Sequence, residues 1–300
     1  MVTGMEQAEV SGSIELMRVK PHTHHKYSIL RKYLLACKKF SDKYGNFAYI
    51  ETHGGTGEVI DYGTGIRLDG SALIAAKVQP SFPCYVVEID AKRYETLRRA
   101  LQPYPHVHTF YGDCNMRIDE ILQLIPRGKR FVFCFMDPDG LKYNDVDQLR
   151  WQTVEKVARF QRTEILVNVP MEAIMRTVGA AKQDGRDWSC LTRFFGSTRW
   201  STFEPGDYRG LVRLYISERL EGRYKYTGAI LIRAEKTRAP VYYLVYGTNS
   251  EVGARIMRDI FKKEWLLMRR GRYPESRERY ASDSEWLDTE YPCERFFFED

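Results

Sequence analysis

The sequence predicts an α/β fold in which helices cover both faces of a doubly wound, mostly parallel seven-stranded sheet. In the first half of the chain, short apolar segments bounded by turn residues alternate with amphipathic segments of helical spacing, as in βαβ units. Later, two apolar segments are joined by a link too short for a crossover helix, so that pair must be antiparallel. The sheet is therefore expected to end in a C-terminal antiparallel hairpin.

Each element follows from its local pattern. Five apolar segments that end at turn or polar residues are predicted to be buried parallel strands, at residues 47–50, 84–87, 107–111, 131–136 and 165–167. The hairpin strands are predicted at 227–233 and 241–246. Apolar residues at helical spacing predict helices at 91–101, 115–125, about 154–160, 188–195, 208–220 and 251–267.

Composition excludes several classes of protein. The 300 residues are 43% hydrophobic with a net charge of +6, which suits a globular core and excludes a disordered chain. No apolar segment approaches the roughly 20 residues that span a bilayer, so no membrane association is expected. The six cysteines are scattered without a C-x-x-C pair, which predicts a cytoplasmic protein without a metal site. The His22-x-His24-His25 cluster lacks matching ligands and is expected in a loop or facing substrate.

We expect one main domain over residues 21–266, with an N-terminal helix and a helical insertion at about 184–222. A flexible segment is expected at 1–20, and an extension rich in basic and aromatic residues at 267–300. Residues 58–69 are inserted between a glycine-rich turn and its helix. They are interpreted either as a lid or substrate loop or as a tolerated surface insertion.

The glycine-rich turn follows the first of the five parallel strands. Glu51 ends that strand, and Thr52, His53, Gly55 and Gly57 follow it. A strand-end carboxylate before glycines suits a cofactor that lies against the turn, and Glu51 could meet the ammonium of S-adenosylmethionine (SAM). The alternative is an ordinary tight turn. The segment does not match the G-x-G-x-x-G dinucleotide fingerprint.

Acidic residues also end the next two strands. Glu88 or Asp90 is placed to hold both ribose hydroxyls of the cofactor, and Asp113 to accept from the adenine amino group. The alternative, that these residues are helix N-caps, fits Asp90 and Asp113 best.

The strand at 131–136 leads into the loop Asp137-Pro138-Asp139-Gly140. Methyl transfer to nitrogen mainly requires that a lone pair be oriented toward the methyl group, and Asp137 could hold the target amine. Pro138 stiffens this loop, and Asp139 belongs to the same predicted catalytic segment. The four residues are equally a good β-turn sequence.

These motifs resemble known families. The glycine turn resembles the corresponding segment of 23S ribosomal RNA adenine-N6 methyltransferases. A wider resemblance, in motif order over about residues 22–266, is to the three-Cys-motif partner protein family, which resembles class I SAM-dependent methyltransferases with a Rossmann-like fold. It is carried by the glycine turn and by segments 30–34, 88–90, 136–141, 166–170 and 242–246. The resemblance implies a partner protein of radical-SAM type with a three-cysteine motif. It also places Lys26, Tyr33 and Asn168 on the substrate side, although the helix that carries Lys26 and Tyr33 is equally well explained as a solvated amphipathic helix.

The sequence departs from the nitrogen methyltransferase pattern at one point, because Asp139 and Gly140 replace the second proline and the aromatic residue. Basic residues concentrate at 20–39 and 262–279, where the second group alternates with aromatic residues as in nucleic-acid-binding surfaces. The leading hypothesis is therefore a SAM-dependent methyltransferase acting on nucleic acid or a related acceptor. The alternatives are a catalytically inactive adaptor for the three-cysteine partner and an NAD-dependent oxidoreductase. The acidic tail at 283–300, with three phenylalanines, could dock on the chain, cover the basic residues or bind a partner.

Overall fold

The computed structural model describes residues 15–45, 47–78, 82–128, 131–184, 188–270 and 295–298. Thirteen strands lie in these residues: β1 (Met17–Val19), β2 (Phe47–Glu51), β3 (Glu58–Asp61), β4 (Arg67–Asp69), β5 (Cys84–Glu88), β6 (Val107–Tyr111), β7 (Phe131–Met136), β8 (Lys142–Tyr143), β9 (Val146–Asp147), β10 (Arg162–Val169), β11 (Tyr226–Arg233), β12 (Pro240–Thr248) and β13 (Arg295–Phe298).

The described residues also form nine α-helices: α1 (Thr23–Tyr44), α2 (Ser71–Val78), α3 (Ala91–Leu101), α4 (Cys114–Leu124), α5 (Trp151–Arg159), α6 (Met171–Asp184), α7 (Ser189–Phe195), α8 (Tyr208–Tyr215) and α9 (Glu251–Arg269). A 3-10 turn (Arg199–Thr202) precedes α8, and a π-helical segment (Ile216–Leu220) continues it. The predicted helical insertion is thus built from α7, the 3-10 turn and α8.

The main sheet has the spatial order β13-β11-β12-β10-β7-β2-β5-β6. Strand β12 is antiparallel to both of its neighbours, and the other described pairs are parallel. This arrangement confirms the Rossmann-like methyltransferase fold, with its mostly parallel sheet and C-terminal antiparallel hairpin. The sheet has eight strands in the described residues rather than the predicted seven, because the C-terminal segment adds β13 beside β11.

Two apolar layers bury the faces of this sheet. On one face, α4 to α8 pack against alternate strand residues such as Ile50, Val132 and Val167. On the other face, α1, α2 and α9 cover the intervening residues, which include Tyr49, Phe133 and Leu166. Because neighbouring residues of a strand point to opposite faces, a strand covered on both sides is apolar throughout, which is why β7 reads as an uninterrupted apolar segment.

A second, three-stranded sheet lies in the N-terminal half of the chain. Strand β1 pairs in parallel with β3, and β4 completes the sheet as the antiparallel partner of β3. Residues 17–19, within the segment expected to be flexible, form β1, and residues 1–14 lie outside the described residues. The stretch 58–69, expected as a lid or substrate loop or as a surface insertion, is a β-hairpin joined to that strand.

Candidate functional site

A cleft of about 540 Å³ opens at the carboxyl ends of the parallel strands. It lies where the strand order reverses, because β5 and β6 lie on one side of β2 whereas β7 and β10 lie on the other. Parallel α/β sheets bind their ligands at such a point. Four strand ends contribute Gly55, Glu88, Asp137 and Asn168 to its lining.

The glycine turn meets the cleft through Gly55, whose φ of 63° lies in the left-handed region. Its backbone N–H donates to the Glu88 carboxylate at 2.8 Å. Gly57 has a different reason to be glycine: its φ is 77°, and a Cβ there would lie 2.9 Å from the Cβ of Ala100 on α3. Gly57 does not line the cleft, so the packing of the turn against α3 accounts for it.

Glu88 lines the cleft, and its second carboxylate oxygen accepts from the Asp90 backbone N–H at 2.9 Å. Burial raises the pKa of the Glu88 carboxyl. Asp90 instead caps α3 by accepting from the Arg93 N–H at 2.8 Å. Asp113 caps α4 in the same way, through the Asn115 N–H at 2.8 Å, and does not line the cleft. The N-cap interpretation is therefore confirmed for both aspartates.

Glu51 is fully buried behind the cleft wall. Its carboxylate accepts a hydrogen bond from the Tyr49 hydroxyl at 2.9 Å and another from the Ser71 hydroxyl. Ser71, unlike Glu51, lines the cleft. Burial raises the pKa of Glu51 to about 8, although both hydrogen bonds oppose the shift. Glu51 is therefore predominantly neutral at pH 7 and lies behind Ser71 rather than at the surface of the cleft.

His53 lines the cleft and is held between two partners. Its Nδ1 lies 2.7 Å from the Thr52 hydroxyl, and its Nε2 lies 3.2 Å from the backbone carbonyl of Gln148. Because burial lowers the pKa of His53 to about 4, its ring is neutral near pH 7. Thr52 itself is buried, and its backbone N–H donates to the carbonyl of Phe135 on β7 at 3.1 Å, which fixes the start of the turn.

Three predicted residues meet around Asp137. The Lys26 ammonium on α1 donates to both Asp137 carboxylate oxygens, at 2.8 and 2.6 Å. The Asn168 side-chain N–H donates to Asp137 at 2.8 Å and to the Pro138 carbonyl at 3.2 Å. All three side chains are buried, and the Asn168 carbonyl oxygen has no hydrogen-bond partner in the described residues. In this cluster, the Asn168 carbonyl oxygen, which has no partner, lies on the same side chain as the N–H group bonded to Asp137, and Asp137 itself is paired with Lys26.

Asp139 lies on the outer side of the same loop. Its side chain is 58% exposed, and its carboxylate lies 3.7 Å from the Arg93 guanidinium. The Asp139 N–H donates to the Gln148 side chain at 2.8 Å, so the loop is anchored on both sides of Pro138.

Tyr33 is the predicted substrate-side residue that the structure does not bring to the cleft. It lies two turns further along α1 than Lys26 and is 2% exposed. Its hydroxyl contacts the Glu164 carboxylate and lies 2.6 Å from the Tyr246 hydroxyl. Burial raises the pKa of Glu164 to about 7, although hydrogen bonds from the side chains of Thr248, Tyr33 and Tyr246 oppose this shift. Tyr33 therefore belongs to a buried polar cluster between α1 and the sheet.

Several cleft residues were not found from the sequence. These are Arg18 on β1, Tyr27 at the start of α1, Tyr143, Arg176 on α6, and Tyr242 on β12. His22, which was expected in a loop or facing substrate, also lines the cleft. The Lys26 ammonium lies 5.4 Å from the centroid of the Tyr242 ring, a cation–π distance. Tyr242 lies in segment 242–246, which carries part of the family resemblance. This resemblance was the one signal in the sequence that could have indicated Tyr242 as a cleft residue.

Within the described ranges, no helix is long and apolar enough to cross a membrane. The same residues contain no group of three or more His, Cys, Asp or Glu side chains arranged to hold a metal ion. The five described cysteines are free and buried, and Cys293 lies outside the described residues.

Comparisons with known proteins give structural likenesses alone. No protein-family model and no curated protein match the sequence. Protein LPL1258 from Legionella pneumophila is 10% identical with a TM-score of 0.46, over 80% of this chain and 91% of that one. The O-methyltransferase from Bacillus cereus in complex with SAH is 13% identical with a TM-score of 0.43, over 78% and 84% of the two chains. Spermidine synthase from Thermotoga maritima is 10% identical with a TM-score of 0.43, over 79% and 61%. These likenesses are too low to indicate a substrate, and the fold rests on the strand order described above.

Proposed function

We propose that the protein is a SAM-dependent methyltransferase whose acceptor is a nucleic acid or a related molecule. The observation that carries this proposal is the cleft at the reversal of strand order, whose lining includes both the Gly55 turn and Asp137. A cofactor against the turn and an acceptor at Asp137 would then meet within one cavity of about 540 Å³.

The residues present fit this cofactor. The ribose hydroxyls of SAM need acceptors, and Glu88 at the end of β5 lines the cleft and has lone pairs beyond those used by Gly55 and Asp90. The left-handed backbone of Gly55 lets a ligand approach the turn closely. The ammonium of SAM is expected near the acidic side of the cleft. Because Glu51 is neutral and lies behind Ser71, the predicted contact of Glu51 with the ammonium would have to pass through Ser71.

SAM supplies an activated methyl group, and the chain has to orient the acceptor. A carboxylate has about four lone-pair sites, of which Lys26 and Asn168 occupy three on Asp137. One lone-pair site on Asp137 and the Asn168 carbonyl oxygen remain to accept hydrogen bonds from the methyl acceptor. An amino group has two N–H donors and could use both, which would direct its lone pair away from the cluster. This pairing supports an amine acceptor.

Calorimetry with SAM tests the proposal. We expect heat of binding for the wild type and for Asp137→Asn, because Asp137 is assigned to the acceptor rather than to the cofactor. Radiolabelled methyl transfer to total RNA or DNA should be seen with the wild type and lost in the variant. A folded protein that releases no heat with millimolar SAM would contradict the cofactor. Transfer that survives in Asp137→Asn would contradict the role of Asp137.

A second candidate function is an inactive adaptor for a partner protein with a three-cysteine motif. The observation that favours it is the Lys26–Asp137 pair, because a carboxylate neutralised by a buried ammonium is less available to an acceptor. Co-purification of such a partner, together with SAM binding but no methyl transfer to RNA or DNA, would support the adaptor over the enzyme.

A further inference from the structure

A second groove, with a volume of about 360 Å³, opens beside the cleft. We call it the side groove. It shares Asp139, Gln148, Ala173 and Arg176 with the cleft, so the two spaces are adjacent. The rest of its lining consists of Gly140, Leu141, Lys142, Thr177, Trp188 and Cys190. An acceptor whose target group lies at Asp137 could therefore extend into the side groove.

Two cations of the side groove are uncompensated. The side chains of Lys142 and Arg176 are exposed, and neither has an ion-pair or hydrogen-bond partner in the part of the chain that the structure describes. Asp139, the carboxylate of the groove, is already compensated by Arg93 at 3.7 Å. The charge left to attract a ligand in the side groove is therefore positive.

The other polar groups of the side groove also favour an acceptor-rich ligand. The Trp188 indole nitrogen is buried and has no hydrogen-bond partner in the described residues, and an indole N–H is only a donor. The Thr177 hydroxyl already donates to the Ala173 carbonyl at 2.8 Å. The charged donors that the groove offers are thus a guanidinium and an ammonium.

One wall of the groove is held in place before any ligand binds. The Gln148 side chain accepts from the Asp139 N–H at 2.8 Å and donates to the Lys142 carbonyl at 3.2 Å. Strands β8 and β9 pair on either side of the same turn. A wall fixed in this way reduces the ordering cost of binding.

We propose that the side groove binds a phosphate group of the methyl acceptor, with Arg176 and Lys142 as its charged ligands. Calling the ligand the acceptor rests on the proposed function. A phosphate monoester carries a charge near −2 and three acceptor oxygens, which match the two cations of the groove, whereas a carboxylate has one charge and two oxygens. The phosphate could belong to a mononucleotide or to a nucleic-acid strand.

The test compares two double variants of the full chain. Arg176→Gln/Lys142→Gln removes the proposed ligands. Lys156→Gln/Lys182→Gln is the matched control, because it removes the same charge from exposed lysines that are paired with Asp119 and Glu204 outside the groove. The probes are adenosine, AMP and a short fluorescein-labelled single-stranded RNA, and SAM binding is measured in parallel.

We expect the wild type and the control to bind AMP at least tenfold more tightly than adenosine, and the groove variant to lose this preference. For RNA, the groove variant should reduce the slope of log affinity against log salt by about 1.4, because each of the two removed cations neutralises roughly one phosphate charge and a single strand contributes about 0.7 to the slope per neutralised phosphate. An effect on AMP alone indicates a mononucleotide, and an effect on RNA alone indicates a strand.

The proposal is overturned if the groove variant and the control bind both phosphate probes alike, or if the wild type binds neither probe. These outcomes are separate from the proposed function. SAM binding without a groove effect removes only the phosphate site, whereas a groove effect without SAM binding removes only the methyltransferase.

Discussion

At the scale of single residues, the Lys26–Asp137 pair is central to the proposed acceptor site. Both side chains are at least nine-tenths buried, with 6% and 8% of Lys26 and Asp137 exposed. Burying two charges costs free energy that their attraction only partly returns, so such a pair is weak evidence of selection for stability. Its position at the mouth of the proposed acceptor site gives a functional reason for the pair.

Glu51 gives a prediction about pH. Because its pKa is about 8 in the folded chain, the folded state keeps a proton that the unfolded state loses near pH 4.3. The contribution of Glu51 to stability is therefore full below about pH 4 and falls as the pH rises to 8. Glu51→Gln stays neutral at all pH values. We therefore expect the free energy of unfolding of the variant, minus that of the wild type, to be a few kcal/mol larger at pH 8 than at pH 4.

Urea unfolding of both proteins at several pH values measures this difference. The matched control is Glu120→Gln, since Glu120 is exposed and paired with Arg117. Parallel profiles for wild type and Glu51→Gln would show that Glu51 is ionised in the folded protein, and its position behind Ser71 would then need another explanation.

At the scale of elements, β1 and the β3–β4 hairpin form one wall of the cleft. Met17, Arg18, Val19 and Val59 all line it. The wall is attached to α1 through His24, whose Nε2 lies 2.6 Å from the Asp61 carboxylate. The insertion at 58–69 therefore borders the cleft through Val59.

Strand β13 gives a prediction about the C-terminal segment. Phe296 packs on Gly228 of β11 so closely that a Cβ on Gly228 would lie 2.0 Å from the Phe296 ring. Since Gly228 lies within the sheet, Gly228→Ala should displace β13 and leave the other seven strands in place. We expect amide hydrogens of residues 295–298 to lose protection from exchange, with a loss of stability of about 1–3 kcal/mol.

Gly179→Ala is the control for this substitution. Gly179 lies within α6 and no atom is within 4 Å of a Cβ built there, so alanine should stabilise the helix by about 0.5–1 kcal/mol. Phe296→Ala should reproduce the loss of protection without a clash. If β13 stays protected in both Gly228→Ala and Phe296→Ala, the Phe296 contact does not hold the strand.

At the scale of the whole molecule, the sheet could be predicted because local pattern and burial agree. Strands such as β6 and β7 were predicted to the residue, since both end in turn residues. Strand β1 could not be predicted, because three residues define no period and its partner β3 is about 40 residues away. The sequence also did not predict which side chains of α1 reach the cleft. Lys26 and Tyr33 both lie on α1, but only Lys26 lines the cleft.

The last prediction concerns the coupling of the site to the whole fold. The cleft is lined by residues from Met17 to Tyr242, so it exists only when nearly all described elements are in place. A ligand that binds the folded state alone stabilises it by about 2.7 kcal/mol at 100 times its Kd. S-adenosylhomocysteine is the product of methyl transfer from SAM. At 100 times its Kd, we expect it to raise the free energy of unfolding by about 2.7 kcal/mol. Tryptophan fluorescence and far-UV circular dichroism should report the same increase, because one cooperative transition destroys the site and the sheet together. A shift seen by one probe alone would show that the cleft opens independently of the sheet.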